Sequence, residues 1–316
     1  MITTAALSQT HRDAARDLLD TVTAHDGVAP LDEAARLAVA GGDAHHLLIE
    51  HEPTGEADGD RLLGYASVLS DGTIQGMVHP AHRRRGHGTA LLQAALGLHD
   101  EPGVWAHGAL EGSLAFLSAA GLRETRRLLT LHRPLDADHP LAPVPAPRLE
   151  GLHLDAFDAD RDADRWVQIN AHAFADHPEQ GALTRTDLDQ RMAEPWFDPE
   201  DMVVARLEGE LVGFVWIKRE APERDAEGDA ESTDAQPADV EPSDAEIYVV
   251  ATDPSVQGHG VAGFLLAAAL DRLRTAGVPG VELYVEADNA PALRLYENWG
   301  FTVSGRDVQL RPTGKG

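Results

Sequence analysis

Apolar and polar positions along this chain follow two rhythms, and the rhythms recur in nearly the same order in each half. In the first half, residues 11–22 and 31–39 carry apolar side chains at helical spacing. Residues 46–50, 61–69 and 73–78 read as strands, 86–98 as a helix, 104–106 as a short strand, 112–120 as a helix and 123–131 as a returning strand. Residues 133–148 are rich in proline with no periodicity, which predicts an extended linker. The second half repeats the order. Residues 162–174 and 186–192 look helical, and 202–208 with 211–218 predict a hairpin around Glu208-Gly209-Glu210. Strand 247–250, helix 260–276, strand 280–285 and the short helix 290–299 follow, the last stopped by Gly300, with a strand from 301 onward. The pattern predicts an α/β chain in two domains, 1–134 and 150–316, joined by a linker over 135–149. The segment 220–244 breaks the pattern. It is crowded with Asp, Glu, Ala, Pro and Ser and has almost no bulky apolar residue, so it reads as a long disordered hairpin loop.

Two strand-to-helix junctions in this layout are nearly the same. The first runs Met77-Val78-His79-Pro80, then Arg83-Arg84-Arg85-Gly86-His87-Gly88-Thr89. The second runs Val250-Ala251-Thr252-Asp253-Pro254, then Gln257-Gly258-His259-Gly260-Val261-Ala262-Gly263. A strand that ends in a glycine-rich turn and opens a helix presents unpaired backbone N–H groups at the positive end of the helix dipole, which suits phosphate. Glycine lets the backbone approach an anion with no Cβ in the way. A single copy is also what a tight turn that binds nothing looks like. Two copies in matching context point to a duplicated domain with a phosphate-binding turn in each. The dinucleotide-binding alternative requires a different glycine spacing and an acidic residue after the next strand.

Composition narrows the classes. The net charge of −27 argues against general nucleic-acid binding. Against that background the triplet Arg83, Arg84, Arg85 stands out. Lys218 does too, since it and Lys315 are the only lysines. There is no cysteine, which excludes disulfides, cysteine-ligated metal and a protein thiol nucleophile, and no metal is expected. No apolar run is long enough to span a membrane, and the opening Met1-Ile2-Thr3-Thr4 does not look like a secretory signal. The expectation is a cytoplasmic monomer acting on a small molecule.

The motif Gln/Arg-x-x-Gly-x-Gly/Ala after a strand, followed by Asn289-x-x-Ala292-x-x-x-Tyr296-x-x-x-Gly300-Phe301, resembles the GCN5-related N-acetyltransferases. The resemblance covers both halves and is strongest over 246–301. It implies two tandem acetyltransferase domains, each a mixed twisted sheet flanked by helices, with splayed central strands that receive acetyl-CoA. On that resemblance Met77, Val78, His79, Arg84, Arg85, Gly86, His87, Gly88 and Thr89 of the first junction hold the coenzyme, as do Val250, Ala251, Thr252 and the run Gln257 to Gly263 of the second, together with Asn289 and Arg294; Arg83 would suit the same anion. Further runs are similar to a tandem branch of the family that acetylates the cysteinyl amine of a glucosaminyl-inositol pseudodisaccharide. They are Glu246-Ile247-Tyr248-Val249-Val250, Leu283-Tyr284-Val285-Glu286, His177-Pro178-Glu179-Gln180 and Ala193-Glu194-Pro195-Trp196-Phe197-Asp198. That likeness implies a substrate held by Glu33, Glu179, Lys218, Glu246 and Tyr284, in a cleft between the halves. Asp32 competes with Glu33 for its part. Other readings are acetylation of another small amine or a protein amino terminus, and an acetyl-CoA sensor.

Acetyl transfer to an amine needs the amine neutral. A free α-amine titrates at about 7.7–8.0, so a carboxylate acting directly or through water suffices. By resemblance Glu246 is that base and Tyr296 the acid that meets the departing thiolate. A strand-start glutamate is otherwise a solvated surface group, and a tyrosine before Gly-Phe is otherwise core packing. Backbone N–H groups near Val250 and Thr252 would polarise the thioester carbonyl. Histidines 87 and 259 read as capping or lining the helix starts. Aligning Arg83 with Gln257 sets Gly72 opposite Glu246, with Asp71 one residue away. Aligning Gly121 with Gly300 sets Leu117 opposite Tyr296. The first half is therefore expected to bind acetyl-CoA without catalysing.

Overall fold

The computed structural model describes residues 1–51, 62–143, 148–175, 180–219 and 243–313. Most of the acidic segment and Glu179 lie outside the described residues. In chain order the first elements are β1 (Ile2–Thr4), α1 (Gln9–Asp26), α2 (Glu33–Ala40), β2 (His45–Glu50), β3 (Leu62–Val68), β4 (Thr73–Val78), α3 (His87–Leu96), β5 (Gly103–Ala106), α4 (Glu111–Ala119) and β6 (Leu122–Pro134). They are followed by β7 (His153–Ala156), α5 (Ala159–Ala173), α6 (Arg185–Met192), β8 (Met202–Leu207), β9 (Glu210–Lys218), β10 (Ala245–Thr252), α7 (Val261–Thr275), β11 (Gly280–Glu286), α8 (Ala290–Asn298) and β12 (Thr302–Pro312). The short strands β1 and β7 carry too little periodicity to be read from the sequence.

The chain forms two compact units. One comprises Met1–Leu129, Glu286–Asp288 and Gly305–Gly316; the other comprises Thr130–Val285 and Asn289–Ser304. In the first unit the strand order is β1-β2-β3-β4-β5-β12-β6, with β4 and β5 parallel and β5 and β12 antiparallel. In the second it is β12-β6-β11-β10-β9-β8-β7, with β10 and β11 parallel and β8 to β10 antiparallel. Each is thus a mixed sheet.

Strand alternation places helices on both faces of each sheet. In the first unit Leu47 packs with Leu91, Leu92 and Ala95 of α3, while its neighbour Leu48 packs with Leu18 and Val22 of α1 and Ala35 of α2. In the second, Phe214 and Trp216 of β9 pack with Trp166 and Ile169 of α5 and Leu188 of α6. Gly213 faces Leu265 of α7 instead, on the opposite side. Trp166, Phe214 and Trp216 are fully buried, and Trp166 stacks on Phe214 at 4.7 Å between ring centroids. Burial of side chains this large contributes roughly 2–3 kcal/mol each. The aromatic cluster therefore anchors one face of β9 and β10.

Candidate active site

A parallel pair opens in the middle of each sheet. Strands β10 and β11 pair only at Ala245↔Val281 and Glu246↔Glu282, although β10 runs on to Thr252. Strands β4 and β5 pair only at Thr73↔Gly103 and Ile74↔Val104. Backbone N–H groups alternate in direction along a strand. The Asp253 N–H donates to the Val212 carbonyl at 2.8 Å, toward β9. Those of Val250 and Thr252 therefore point the other way, into the opening. In the first unit the His79 N–H donates to Leu63 at 2.9 Å, which turns those of Gly76 and Val78 into its opening. Both copies keep the same row of backbone donors.

The openings lead to the two glycine-rich turns. Gly86 and Gly260 are the N-cap residues of α3 and α7, at φ of 89° and 85°, and neither helix start has a side-chain cap or an acidic residue in its first turn. Neither His87 nor His259 caps its helix, which leaves the other part of the expectation, that they line the helix starts; the His259 ring nitrogen Nδ1 lies 3.0 Å from the Gln257 carbonyl. A Cβ on Gly86, Gly258 or Gly260 would meet open space. The left-handed backbone and the uncapped helix start, with room in front, fit a bound phosphate. The position held by Gly258 in one turn is held in the other by Arg84, at φ 63°. Arg83 is already engaged: its guanidinium forks onto Asp26 at 2.8 and 2.7 Å, and its Nε donates to the Val78 carbonyl. Arg84 and Arg85 are exposed, with Arg85 Nη1 3.5 Å from His82 Nδ1. Of the other coenzyme candidates, Met77, Ala251 and Val261 have buried side chains and offer backbone only. His79 caps the short 3-10 turn that follows it, and Asn289 caps α8 by accepting from Ala292 N–H at 3.2 Å. Thr89 and Arg294 are exposed, and Val78 is half-buried.

The face beside the second opening carries the proton-transfer candidate. Glu246 is register partner to Lys218 of β9 on one side and to Glu282 of β11 on the other. These three side chains therefore share one face in a row across three strands. Tyr284 lies two residues beyond Glu282 on that face, is exposed, and donates its hydroxyl to Glu282 at 3.3 Å. A β-bulge follows: Ile247 pairs with Ile217 and Val249 with Trp216, so Tyr248 is an extra residue. The bulge keeps Glu246 and Tyr248 on the same face that Val249 and Ala251 bury against α5 and α6. Glu282, Tyr248 and the row itself were not found by sequence reasoning, because pairing partners lie far apart along the chain. Spacing within a strand run was the one available signal.

The bulge also corrects the alignment of the halves. In β4 the pairing to β3 runs without interruption, Val68↔Ile74 through Gly64↔Val78. Matching β3 to β9 sets Thr73, not Gly72, opposite Glu246. Thr73 donates both its N–H and its hydroxyl to Asp71, at 2.8 and 3.0 Å, so Asp71 is taken up by the turn. Gly121 and Gly300 both lie at positive φ, 88° and 80°, directly after α4 and α8. That supports Leu117 as the counterpart of Tyr296. Leu117 is buried in the apolar cluster beside α3. Tyr296 is half-buried with its ring edge against Phe301 at 5.7 Å, and burial pushes its phenol up to about 12. The hydroxyl has no hydrogen-bond partner among the described residues. Of the remaining candidates, Asp32 is the N-cap of α2, accepting from Ala35 at 2.8 Å, while Glu33 is exposed in the first helical turn. Gln180, next to Glu179, is pinned to buried Asn170 by two hydrogen bonds of 2.6 and 2.9 Å.

This arrangement has known parallels. A profile of the acetyltransferase (GNAT) family matches residues 15–117 and 166–301. The chain belongs to the GNAT acetyltransferases. The family match falls in both halves, so the GNAT domain is present in tandem, and the chain is an acyltransferase. A mycothiol acetyltransferase of Brachybacterium faecium is 60% identical, the alignment covering 100% of each chain. One from Thermomonospora curvata is 42% identical over 93% of this chain and 91% of its own. Among solved structures, a GCN5-related N-acetyltransferase from Sphaerobacter thermophilus superposes with a TM-score of 0.69, at 23% identity, over 98% of this chain and 94% of that one. A tandem GNAT protein from the clavulanic acid biosynthesis pathway gives 0.67 at 18% identity, over 100% and 99%. These two show the shared fold. No helix among the described residues is long and apolar enough to cross a membrane. No metal-binding cluster occurs among them either.

Proposed function

We propose that this chain is a mycothiol synthase: it transfers acetyl from acetyl-CoA to the cysteinyl amine of a glucosaminyl-inositol pseudodisaccharide, releasing CoA. The likeness to the mycothiol acetyltransferases over its whole length supports the substrate. The observation that carries the chemistry is the position of Glu246, at the last paired residue before β10 and β11 part. A carboxylate there lies where the amine must lose its proton.

In this reading the turn from Gln257 to Gly263 holds the pyrophosphate on backbone N–H groups, and the inward N–H groups of Val250 and Thr252 polarise the thioester carbonyl. The amine nitrogen attacks the carbonyl carbon, the C–N bond forms and the C–S bond breaks. Glu246 takes the amine proton, directly or through water. Tyr296 stays neutral because its phenol titrates at about 12, well above the about 8.5 of a thiol. Full proton donation to the thiolate is therefore uphill, and its part is to donate a hydrogen bond to the departing sulfur. Lys218, Tyr284 and Glu179 hold the hydroxyl-rich substrate. The first unit, with Thr73 and Leu117 at the two chemical positions, binds acetyl-CoA through Met77 to His79 and Arg84 to Thr89 and is catalytically silent.

The test is CoA release with the cysteinyl pseudodisaccharide against a panel of plain amines and peptide amino termini. A preference of at least about 10³-fold in kcat/KM for the pseudodisaccharide is the expected result, since its hydroxyls meet a site built to hydrogen-bond them. Equal rates across the panel would remove the substrate and leave the family.

A further inference from the structure

Lys218 has a second set of neighbours besides the row with Glu246. Its Nζ lies 5.1 Å from the ring centroid of Trp196 and 5.9 Å from that of Tyr248. The two rings lie 5.4 Å apart and both pack on buried Trp216, at 5.5 and 5.4 Å. Each ring is itself held. Tyr248 is the bulge residue of β10, and its hydroxyl accepts from Arg191 Nε at 3.0 Å, while Arg191 also donates to the Asp187 carbonyl one helical turn back. Trp196 sits on the irregular segment between α6 and β8. That segment is tied down at Asp201, which is buried and accepts from Arg219 Nε at 2.6 Å and Arg272 Nε at 2.7 Å. Arg219 is the residue after Lys218, so the same node fixes the strand end and the loop that covers it.

An ammonium over aromatic faces is attracted by the ring quadrupoles, and a four-carbon lysine stem otherwise samples many rotamers. We propose that Trp196 and Tyr248 are positioning residues for substrate binding: their ring faces hold the Lys218 ammonium in one place on the Glu246 face, where it meets the hydroxyls of the pseudodisaccharide. The bulge makes this possible by turning Tyr248 toward Lys218. The inference rests on the reading of Lys218 as a substrate contact. Neither ring touches the reacting atoms, so their loss acts on amine-substrate affinity and leaves acetyl-CoA affinity alone.

The experiment measures steady-state kinetics of the full chain with Trp196→Leu, Trp196→Phe, Lys218→Met and the double variant Trp196→Leu/Lys218→Met. Trp196→Leu is expected to raise KM for the pseudodisaccharide about tenfold, the fold-change that about 1.4 kcal/mol represents. KM for acetyl-CoA should stay unchanged, which also reports that the unit is folded, and Trp196→Phe should recover most of the loss. In the Lys218→Met background Trp196→Leu should add nothing. Additive effects in the double variant would overturn the clamp, because Trp196 would then act without Lys218. So would a tenfold effect of Lys218→Met with none from Trp196→Leu. If Lys218→Met itself leaves KM for the pseudodisaccharide unchanged, the substrate role of Lys218 fails, and the clamp with it. Should Trp196→Leu not fold, Tyr248→Leu with Tyr248→Phe as its rescue reads the same ammonium from the other ring.

Discussion

The two glycine-rich turns are built alike and braced in opposite senses. In the first unit the arginine is in the turn: Arg83 forks onto Asp26 at the end of α1, and that guanidinium holds the Asp26 carboxyl below its ordinary range. In the second unit the carboxylate is in the turn. Asp253 accepts from the Ser255 hydroxyl and N–H and pairs with Arg165 of α5, and these bonds hold it low as well, the Ser255 hydroxyl most of all. What both copies keep is backbone: splayed strands, inward N–H groups and an uncapped helix start. What differs is side chains. In the proposed reading, anion binding rests on backbone geometry that survives substitution, whereas proton transfer rests on two side chains that the first unit lacks.

Breaking that contrast at its strongest point means removing the base. Glu246→Gln is predicted to lower kcat/KM about 10²–10⁴-fold in a CoA-release assay. Thr73→Glu should restore little of it, since in that unit buried Leu117 stands at the position of Tyr296. Near-full turnover by Glu246→Gln would place the active site elsewhere. Tyr296→Phe comes next, with a predicted loss in kcat of about ten- to a hundredfold, the worth of a hydrogen bond to a charged atom. An unchanged kcat would make Tyr296 a packing residue like Leu117. Gly260→Asp forces a side chain into the left-handed region, at about 1–2 kcal/mol, and sets a negative charge where the phosphate sits. It should raise KM for acetyl-CoA at least about tenfold. Gly86→Asp should instead remove one equivalent of acetyl-CoA from an isothermal titration, and a stoichiometry of one in the unaltered chain would refute binding by the first unit.

Two smaller effects sharpen the comparison through stability. Tyr296 has its folded pKa raised from 10 to about 12 by burial. Its contribution is therefore complete below pH 10 and is lost as pH rises toward 12, where the unfolded phenol ionises and the folded one does not. Denaturant melts across that window should show a steeper decline for the unaltered chain than for Tyr296→Phe. Arg84 occupies at φ 63° the position that Gly258 occupies in the other turn. Arg84→Gly relieves that strain, about 1 kcal/mol before the added chain entropy of glycine is set against it. Its thermal melt should rise by a degree or two, and a clear fall would mean that the Arg84 side chain stabilises the fold.

Much of this architecture is legible in the sequence because it is local. An x-Pro turn, a glycine at the helix start and the apolar run behind it lie within a dozen residues, and the backbone conformations of Gly86 and Gly260 follow from their lack of a Cβ. The stop at Gly300 is local in the same way, as is the equal spacing of Leu117 before Gly121 and of Tyr296 before Gly300. Asp32, by contrast, is equivalent to Glu33 in the sequence, and its N-cap bond to Ala35 is what tells them apart. Arg83 reads as a phosphate contact in the sequence, but Asp26, at the far end of α1, engages it.

The duplicated α/β layout with a glycine-rich turn in each half is written in the sequence, because those signals depend on near neighbours. Which residues stand beside Glu246 is a matter of the folded sheet. Strand register is set by partners tens of residues away, and one extra residue in β10 shifts every facing pair by one place without altering the apolar pattern. That shift sets Thr73 opposite Glu246. The bulge also turns Tyr248 to the face that carries Lys218 and Glu282, from three strands that the chain itself keeps apart.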